Sequence, residues 1–142
     1  MPQIYADTTD GWVSNSSTAS WSGARDATAG SSTNVLSHFN QYGVRASKLT
    51  SGGRGSVTTT YTVTRSFFRF DTSGVIHIPT EATIKIYGAT MTAADVILVR
   101  AKHGGLWGTG EFDAMPGWVA GANNVSNVRT YSDILTTWSN SG

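Results

Sequence analysis

The chain of 142 residues contains no cysteine, and charged residues make up only 13% of it. The absence of cysteine excludes disulfide frameworks, thiolate catalysis and cysteine-ligated zinc sites. Small secreted domains are often rich in disulfides, so this absence favours a bacterial, viral or intracellular origin. The net charge of +1 argues against a nucleic-acid-binding protein, because such proteins usually carry a concentrated basic patch.

Long apolar runs and a recognisable targeting segment are also missing from the sequence. No stretch approaches the ~20 apolar residues that span a bilayer, so we expect no membrane insertion. Residues 1–11 lack the basic and apolar regions of a secretory signal peptide. If the protein works outside a cell, we therefore expect release by another route, such as lysis of a host cell that releases assembled virus. A chain of this length predicts a single domain over residues 1–142.

Serine, threonine and 16 glycines take the place of the missing charges. Threonine suits a pleated surface, whereas glycine and serine favour turns. Several short strand patterns are separated by turn signals at intervals of roughly 8–12 residues, which is typical of sandwiches and barrels. We predict an all-β fold, and within that class a jelly-roll-like antiparallel β-sandwich.

Much of the bulky aliphatic content lies in residues 65–100, which we predict to form the core. A long strand pattern over 57–70 leads into this segment, with a bulge or bend expected near its middle. Alternation around Ile84 and a continuous apolar run at 96–99 indicate further strands. Residues 14–20 and 27–34 resemble loops, and residues 21–26 fit either a strand or a single helical turn.

Catalytic patterns are weak in this sequence. Glu111 and Asp113 form a close acidic pair, and on a strand they would share a face, as acid–base hydrolysis requires. A solvated loop edge explains the same pair without catalysis, and we favour that interpretation. We predict no enzyme activity and no catalytic residue.

Metal-binding patterns are also weak. The three histidines show no metal-ligand spacing, so we predict no metal site from them. Asp7, Asp10 and Asp71 lie near turns whose carbonyl groups could help to coordinate calcium. Without the spacing of an EF-hand, calcium remains an open alternative to our expectation of no cofactor.

Tryptophan is the most suggestive residue type in the chain. An exposed indole offers a flat apolar platform for a sugar ring, and Trp107 lies in a glycine-rich loop that would expose it. The candidate ligand-binding residues are Trp107, Trp118 and Trp12. The alternative is that these side chains pack a core or a subunit interface, as tryptophan often does.

Several short motifs resemble those of a known family. Residues 65–73 (RSFFRFDTS), Ile78-Pro79 and residues 82–84 (ATI) are similar to the core motif of DNRLRE-type jelly-roll modules. The opening segment 5–13 (YADTTDGWV) also resembles such modules. Residues 24–27 (ARDA) and 86–88 (IYG) are similar to the versions found in tailed-bacteriophage proteins.

This resemblance implies a non-enzymatic module used at surfaces, in virions or in secreted and cell-surface bacterial proteins. Family members usually continue with further strands after a segment like 135–140 (LTTWSN). We therefore expect either a sandwich with fewer strands or one completed by a neighbouring chain. The loop at residues 40–43 (NQYG) also differs from the corresponding loop of the family, because it carries an insertion.

Two functional hypotheses follow. The first is a structural protein of a bacteriophage virion (a capsid decoration, spike or fibre component) that binds other copies of itself and other virion proteins. The second is an extracellular carbohydrate-binding or adhesive module of a bacterial or viral surface protein, with surface glycans as its ligands.

Overall fold

The structure, a computed structural model, describes residues 3–7, 10–35, 43–85, 94–95, 97–102, 108–118, 128–131 and 137–138. Strands predominate, so the predicted all-β class is confirmed. The elements in chain order are β1 (Gly11–Ser17), α1 (Trp21–Arg25), β2 (Ser32–Val35), β3 (Arg45–Gly53), β4 (Ser56–Phe67), β5 (Ala94–Asp95), a 3₁₀ helix (Thr109–Asp113) and β6 (Thr137–Trp138).

The main sheet has four antiparallel strands in the order β2-β1-β4-β3. Strand β4 pairs with β3 along residues 56–64 and with β1 along residues 61–67. Both registers are continuous, so the expected bulge in this strand is absent. A two-stranded sheet pairs β5 with β6. The sandwich arrangement of a jelly roll stays a prediction.

The β-branched composition of β4 and the glycines before it explain the hairpin with β3. Gly53 pairs with Ser56, and Arg54 and Gly55 form the connection. Gly52 and Gly55 have φ values of +151° and +112°, which side-chain-bearing residues rarely adopt. At Gly52, an added Cβ would lie 2.1 Å from the carbonyl oxygen of Ser56.

The segment between β1 and β2 contains a helical turn, which was one of the two alternatives for residues 21–26. The Ser20 hydroxyl accepts a hydrogen bond from the Gly23 N–H at 3.0 Å and caps helix α1. The Asn15 amide donates to the carbonyl of Ala24 at 3.1 Å.

Two of the predicted loops are partly strands. Residues 14–17 continue β1, and residues 32–35 form β2. Their serine-rich sequences carry little strand signal of their own. The ladder of backbone hydrogen bonds comes from the pairing of β1 with β4 and of β2 with β1, which explains why the sequence prediction was wrong there.

The described core is a small cluster on one face of the main sheet. Val13, Phe67 and Phe112 are buried together, with Val63 and other small side chains packed around them. The prediction that residues 65–100 form the core is wrong for Ile76 and Ile78, which are 89% and 97% exposed. No described residue from 71 to 85 lies in a strand, so these side chains have no sheet to pack against. Residues 86–93 and 96 lie outside the described residues.

The two faces of the main sheet differ in chemistry. Residues paired across an antiparallel ladder point to the same face. Val13 and Arg65 therefore share the face that carries the core cluster, against which α1 packs. Trp12 and Ser14 share the opposite face with Ser66 and Thr64. In the described part of the chain, no helix has the length and apolar character needed to cross a membrane.

Candidate functional site

A shallow open groove lies on the face of the sheet opposite the core. We call it the Trp12 groove, and its volume is about 280 Å³. All four strands of the main sheet contribute to it, because the register aligns their outward-facing residues. The residues that line it are Trp12, Ser14, Ser32, Gly43, Arg45, Thr62 and Thr64.

Hydroxyl groups form the floor of the Trp12 groove, and two of their hydrogen bonds have a defined donor and acceptor. The Thr64 hydroxyl donates to the Ser14 hydroxyl at 3.0 Å, and the Ser14 hydroxyl donates to the carbonyl of Val63 at 3.3 Å. Thr62 shares a hydrogen bond of 2.9 Å with the hydroxyl of Ser16. Because Ser14 and Thr64 donate their hydroxyl protons within the protein, only their oxygen lone pairs remain, and these can accept a hydrogen bond from a ligand.

The walls of the groove carry an aromatic ring and a cation. Trp12 is half-buried in β1, whereas Arg45 is exposed at the start of the edge strand β3. Of the described residues that line the groove, Arg45 alone is charged. Arg45 forms no ion pair with another described residue. The groove therefore combines an indole, oriented hydroxyl acceptors and one guanidinium.

On the opposite face lies a second cluster, centred on Arg65. Its guanidinium donates hydrogen bonds to the carbonyl of Phe112 and, at 2.8 Å, to the carbonyl of Arg25. It also lies over the rings of Phe112 and Trp118, 4.1 Å and 4.9 Å from their centroids. Burial lowers the pKa of Arg65 to about 10, although the negative charges of Asp113 and Asp26 act to raise it. The guanidinium is thus still charged near neutral pH, and it joins three segments of the chain.

The acidic pair Glu111 and Asp113 lies in the 3₁₀ helix, not in a strand. Residues two apart in a 3₁₀ helix point in different directions, because each turn has about three residues. The buried Phe112 separates the two carboxylates. The shared face that acid–base hydrolysis would use is therefore absent. The Oδ1 atom of Asp113 is buried and has no hydrogen-bond partner among the described residues.

Two of the three aspartates considered for calcium binding, Asp10 and Asp71, accept hydrogen bonds from backbone N–H groups. Asp10 is buried, and its Oδ1 accepts a hydrogen bond from the Arg69 N–H at 2.8 Å. Asp71 accepts from the Ser73 N–H at 2.9 Å. Among the described residues, no three acidic or histidine side chains come together as a metal site would require. The calcium alternative therefore gains no support from this geometry.

The structure separates two of the three candidate tryptophans. Trp12 lines the groove, whereas Trp118 lies against Arg65 on the core side. The Nε1 atom of Trp118 is buried, and no described residue forms a hydrogen bond with it. Trp107 lies outside the described residues. Trp12 and Trp118 therefore do not form one binding surface.

Arg45 and the hydroxyl residues of the groove are not among the ligand-binding residues that the sequence predicted. A signal for the hydroxyl residues was present in the sequence, because serine or threonine occupies alternate positions of β4 at 58, 60, 62, 64 and 66. Such alternation indicates one hydroxyl-rich face of a strand. Nothing in the sequence alone shows that Arg45 lies beside that face.

No family model, curated protein or solved structure matches the chain. The resemblance to DNRLRE-type modules therefore depends on its short motifs alone. The exposed strand β3 and the Trp12 groove are the two features of the structure that bear on function.

Proposed function

We propose that the chain is a non-enzymatic structural protein of a bacteriophage virion. In this role it is a capsid decoration, spike or fibre component that binds copies of itself and other virion proteins. The observation that carries the proposal is the edge strand β3. The motif resemblance at residues 65–84 and the charge-poor surface are consistent with it.

Strand β3 is nine residues long and pairs with β4 along one side. Among the described residues, none pairs with its other side. Nearly all of its side chains are exposed, including Leu49 at 63%. An unpaired edge presents backbone N–H and C=O groups that can pair with a strand of another chain. A second copy could extend the sheet through such pairing.

The mass of the protein in solution tests this proposal. We expect static light scattering after size exclusion to show an oligomer whose fraction rises with protein concentration. Leu49→Lys places a charge on the edge strand and should reduce the oligomer fraction several-fold. Ile78→Lys is the matched control, because Ile78 is also exposed but lies in no strand. A wild-type chain that stays monomeric at millimolar concentration would contradict assembly.

The second candidate is a carbohydrate-binding or adhesive module at a viral or bacterial surface, and the Trp12 groove favours it. An indole beside oriented hydroxyl groups offers an apolar face and hydrogen bonds at once, as a sugar ring requires. A glycan array with wild type and Trp12→Ala tests this function. Trp21→Ala is the matched control, because Trp21 is 42% exposed but lies in α1, outside the groove. The Trp107→Ala variant tests the glycine-rich loop in the same array.

A further inference from the structure

We infer that the Trp12 groove binds a saccharide that carries a carboxylate, such as a uronic or sialic acid unit. The indole of Trp12 supports the sugar ring, and the guanidinium of Arg45 pairs with the carboxylate. This inference rests on the second proposed function, the carbohydrate-binding one. The inference adds to that function the charge of the ligand and the residue that recognises this charge, Arg45.

The charge of the groove argues for an anionic ligand. No acidic residue is found among the described residues that line it, and Arg45 contributes a positive charge. A guanidinium presents N–H donors in a planar fork that matches a carboxylate with two parallel hydrogen bonds. Because Arg45 is not held by another described carboxylate, a ligand carboxylate need not displace one.

The register of the sheet places the two walls at a distance suited to a sugar. Trp12 pairs with Ser66 and Arg45 pairs with Thr64, so β4 lies between the two side chains. Standard strand spacings put the Cα atoms of Trp12 and Arg45 about 12 Å apart. Side chains of this length narrow the gap from both sides, which leaves room for a flat ring over the floor.

The floor favours a ligand that donates hydrogen bonds. The protons of Ser14 and Thr64 are committed to the chain of bonds that ends on the carbonyl of Val63. These hydroxyls therefore act towards a ligand as acceptors. Sugar hydroxyl groups can supply the matching donors, whereas the side-chain carboxylates of an acidic peptide cannot.

The size of the groove limits the length of the ligand segment. Its volume of about 280 Å³ lies near the lower end of the ~300–1,000 Å³ that small-molecule sites occupy. The groove thus holds one or two sugar units. Since it is open, a longer polysaccharide can extend beyond it.

Isothermal titration calorimetry with matched probes tests the inference. The probes are oligosaccharides of galacturonate, glucuronate and sialic acid, each with its methyl ester, which keeps the rings and removes the charge. A tetraglutamate peptide supplies charge without sugar. We expect wild type to bind at least one acid form 10-fold or more tightly than its ester.

The variants separate the role of the charge from that of the ring. Arg45→Gln should weaken binding of the acid form about 10-fold and leave binding of the ester unchanged. Arg54→Gln is the matched control, since Arg54 is exposed in the β3–β4 turn, away from the groove lining. Trp12→Ala should weaken both forms 10-fold or more. Trp12→Phe, which keeps a ring in β1, should retain part of the binding if far-ultraviolet circular dichroism shows a wild-type fold.

Each contrary outcome has its own meaning. Equal binding of acids and esters, with no effect of Arg45→Gln, would overturn the inference and leave carbohydrate binding in place. Absence of binding to every saccharide here and on the glycan array would overturn the inference and the carbohydrate-binding function together. Tighter binding of tetraglutamate than of any saccharide would show that the groove accepts acidic peptides instead.

Discussion

The guanidinium of Arg65 lies 4.1 Å from the centre of the Phe112 ring and donates a hydrogen bond to the carbonyl of the same residue. The two residues are far apart in sequence, one in β4 and the other in the 3₁₀ helix. Arg65 also donates to the carbonyl of Arg25, the last residue of α1. One side chain thus satisfies carbonyls from two segments that pack on the sheet, and we expect it to fix their positions.

Replacement of Arg65 by methionine should destabilise the protein by roughly 3 kcal/mol, because two carbonyls lose their donor and two rings lose a cation. Methionine keeps the length and flexibility of the side chain, so the change removes mainly polar contacts. Urea denaturation of both proteins measures the difference in the free energy of unfolding. Arg54→Met, in the exposed turn, should change that free energy by less than ~0.5 kcal/mol. A loss below ~1 kcal/mol for Arg65→Met would show that the cluster is not structurally important.

Phe112→Ala should cost about 3–5 kcal/mol, because the ring is fully buried and its removal leaves a cavity. Ile78→Ala should be close to neutral, since that side chain is 97% exposed. Thermal unfolding of the two variants beside wild type measures both effects. The pair of results locates the core, because Ile78 lies in the segment 65–100 that the sequence predicted to form the core and Phe112 lies outside it. A larger loss for Ile78→Ala would support the sequence prediction over the structure.

Local features of the fold could be predicted from the sequence because their hydrogen bonds join residues close in the chain. Asp71 accepts from the Ser73 N–H, as the turn signal at residues 71–74 indicates. Pro116 and Gly117 form a turn in which the Trp118 N–H donates to Met115, and Gly117 has a φ of +89°. Proline followed by a glycine with positive φ is typical of a type II turn.

The groove and the core could not be predicted in the same way, because long-range pairing creates them. Arg45 reaches the face of Trp12 only through two strand registers, β3 with β4 and β4 with β1. A slip of one residue in either register would turn one of these side chains to the other face. Phe112 likewise enters the core from a separate 3₁₀ helix, and no periodicity in its own segment indicates that position.

Gly52→Ala should destabilise the β3–β4 hairpin by roughly 2 kcal/mol or more. The φ of +151° at Gly52 disfavours a side chain, and its Cβ would lie 2.1 Å from the carbonyl oxygen of Ser56. Gly53→Ala is the matched control, because an added Cβ there meets no atom within 4 Å. Chemical denaturation, with amide hydrogen exchange along β3 and β4, measures both variants. Equal stability of the two would argue against this hairpin geometry.

The pKa of Asp71 should lie below the usual range of an aspartate, because its carboxylate accepts the Ser73 N–H at 2.9 Å, with a smaller contribution from the Ser73 hydroxyl. A carboxyl pKa that is lower in the folded state stabilises the fold above the unfolded-state pKa. That stabilisation is lost as the pH falls through the folded-state pKa. A pH titration of the Asp71 Cγ chemical shift by nuclear magnetic resonance measures the value directly.

Two substitutions at Ser73 separate the sources of this shift. Ser73→Ala removes only the hydroxyl, so the pKa of Asp71 should rise slightly and remain below the usual range. Ser73→Pro removes the backbone donor, and proline suits this position because Ser73 follows Thr72, whose carbonyl accepts the Val75 N–H at 3.0 Å and closes a turn. In that variant the pKa should return to the usual range of an exposed carboxyl. A low pKa that persists in Ser73→Pro would assign the shift to the neighbouring charge of Arg69.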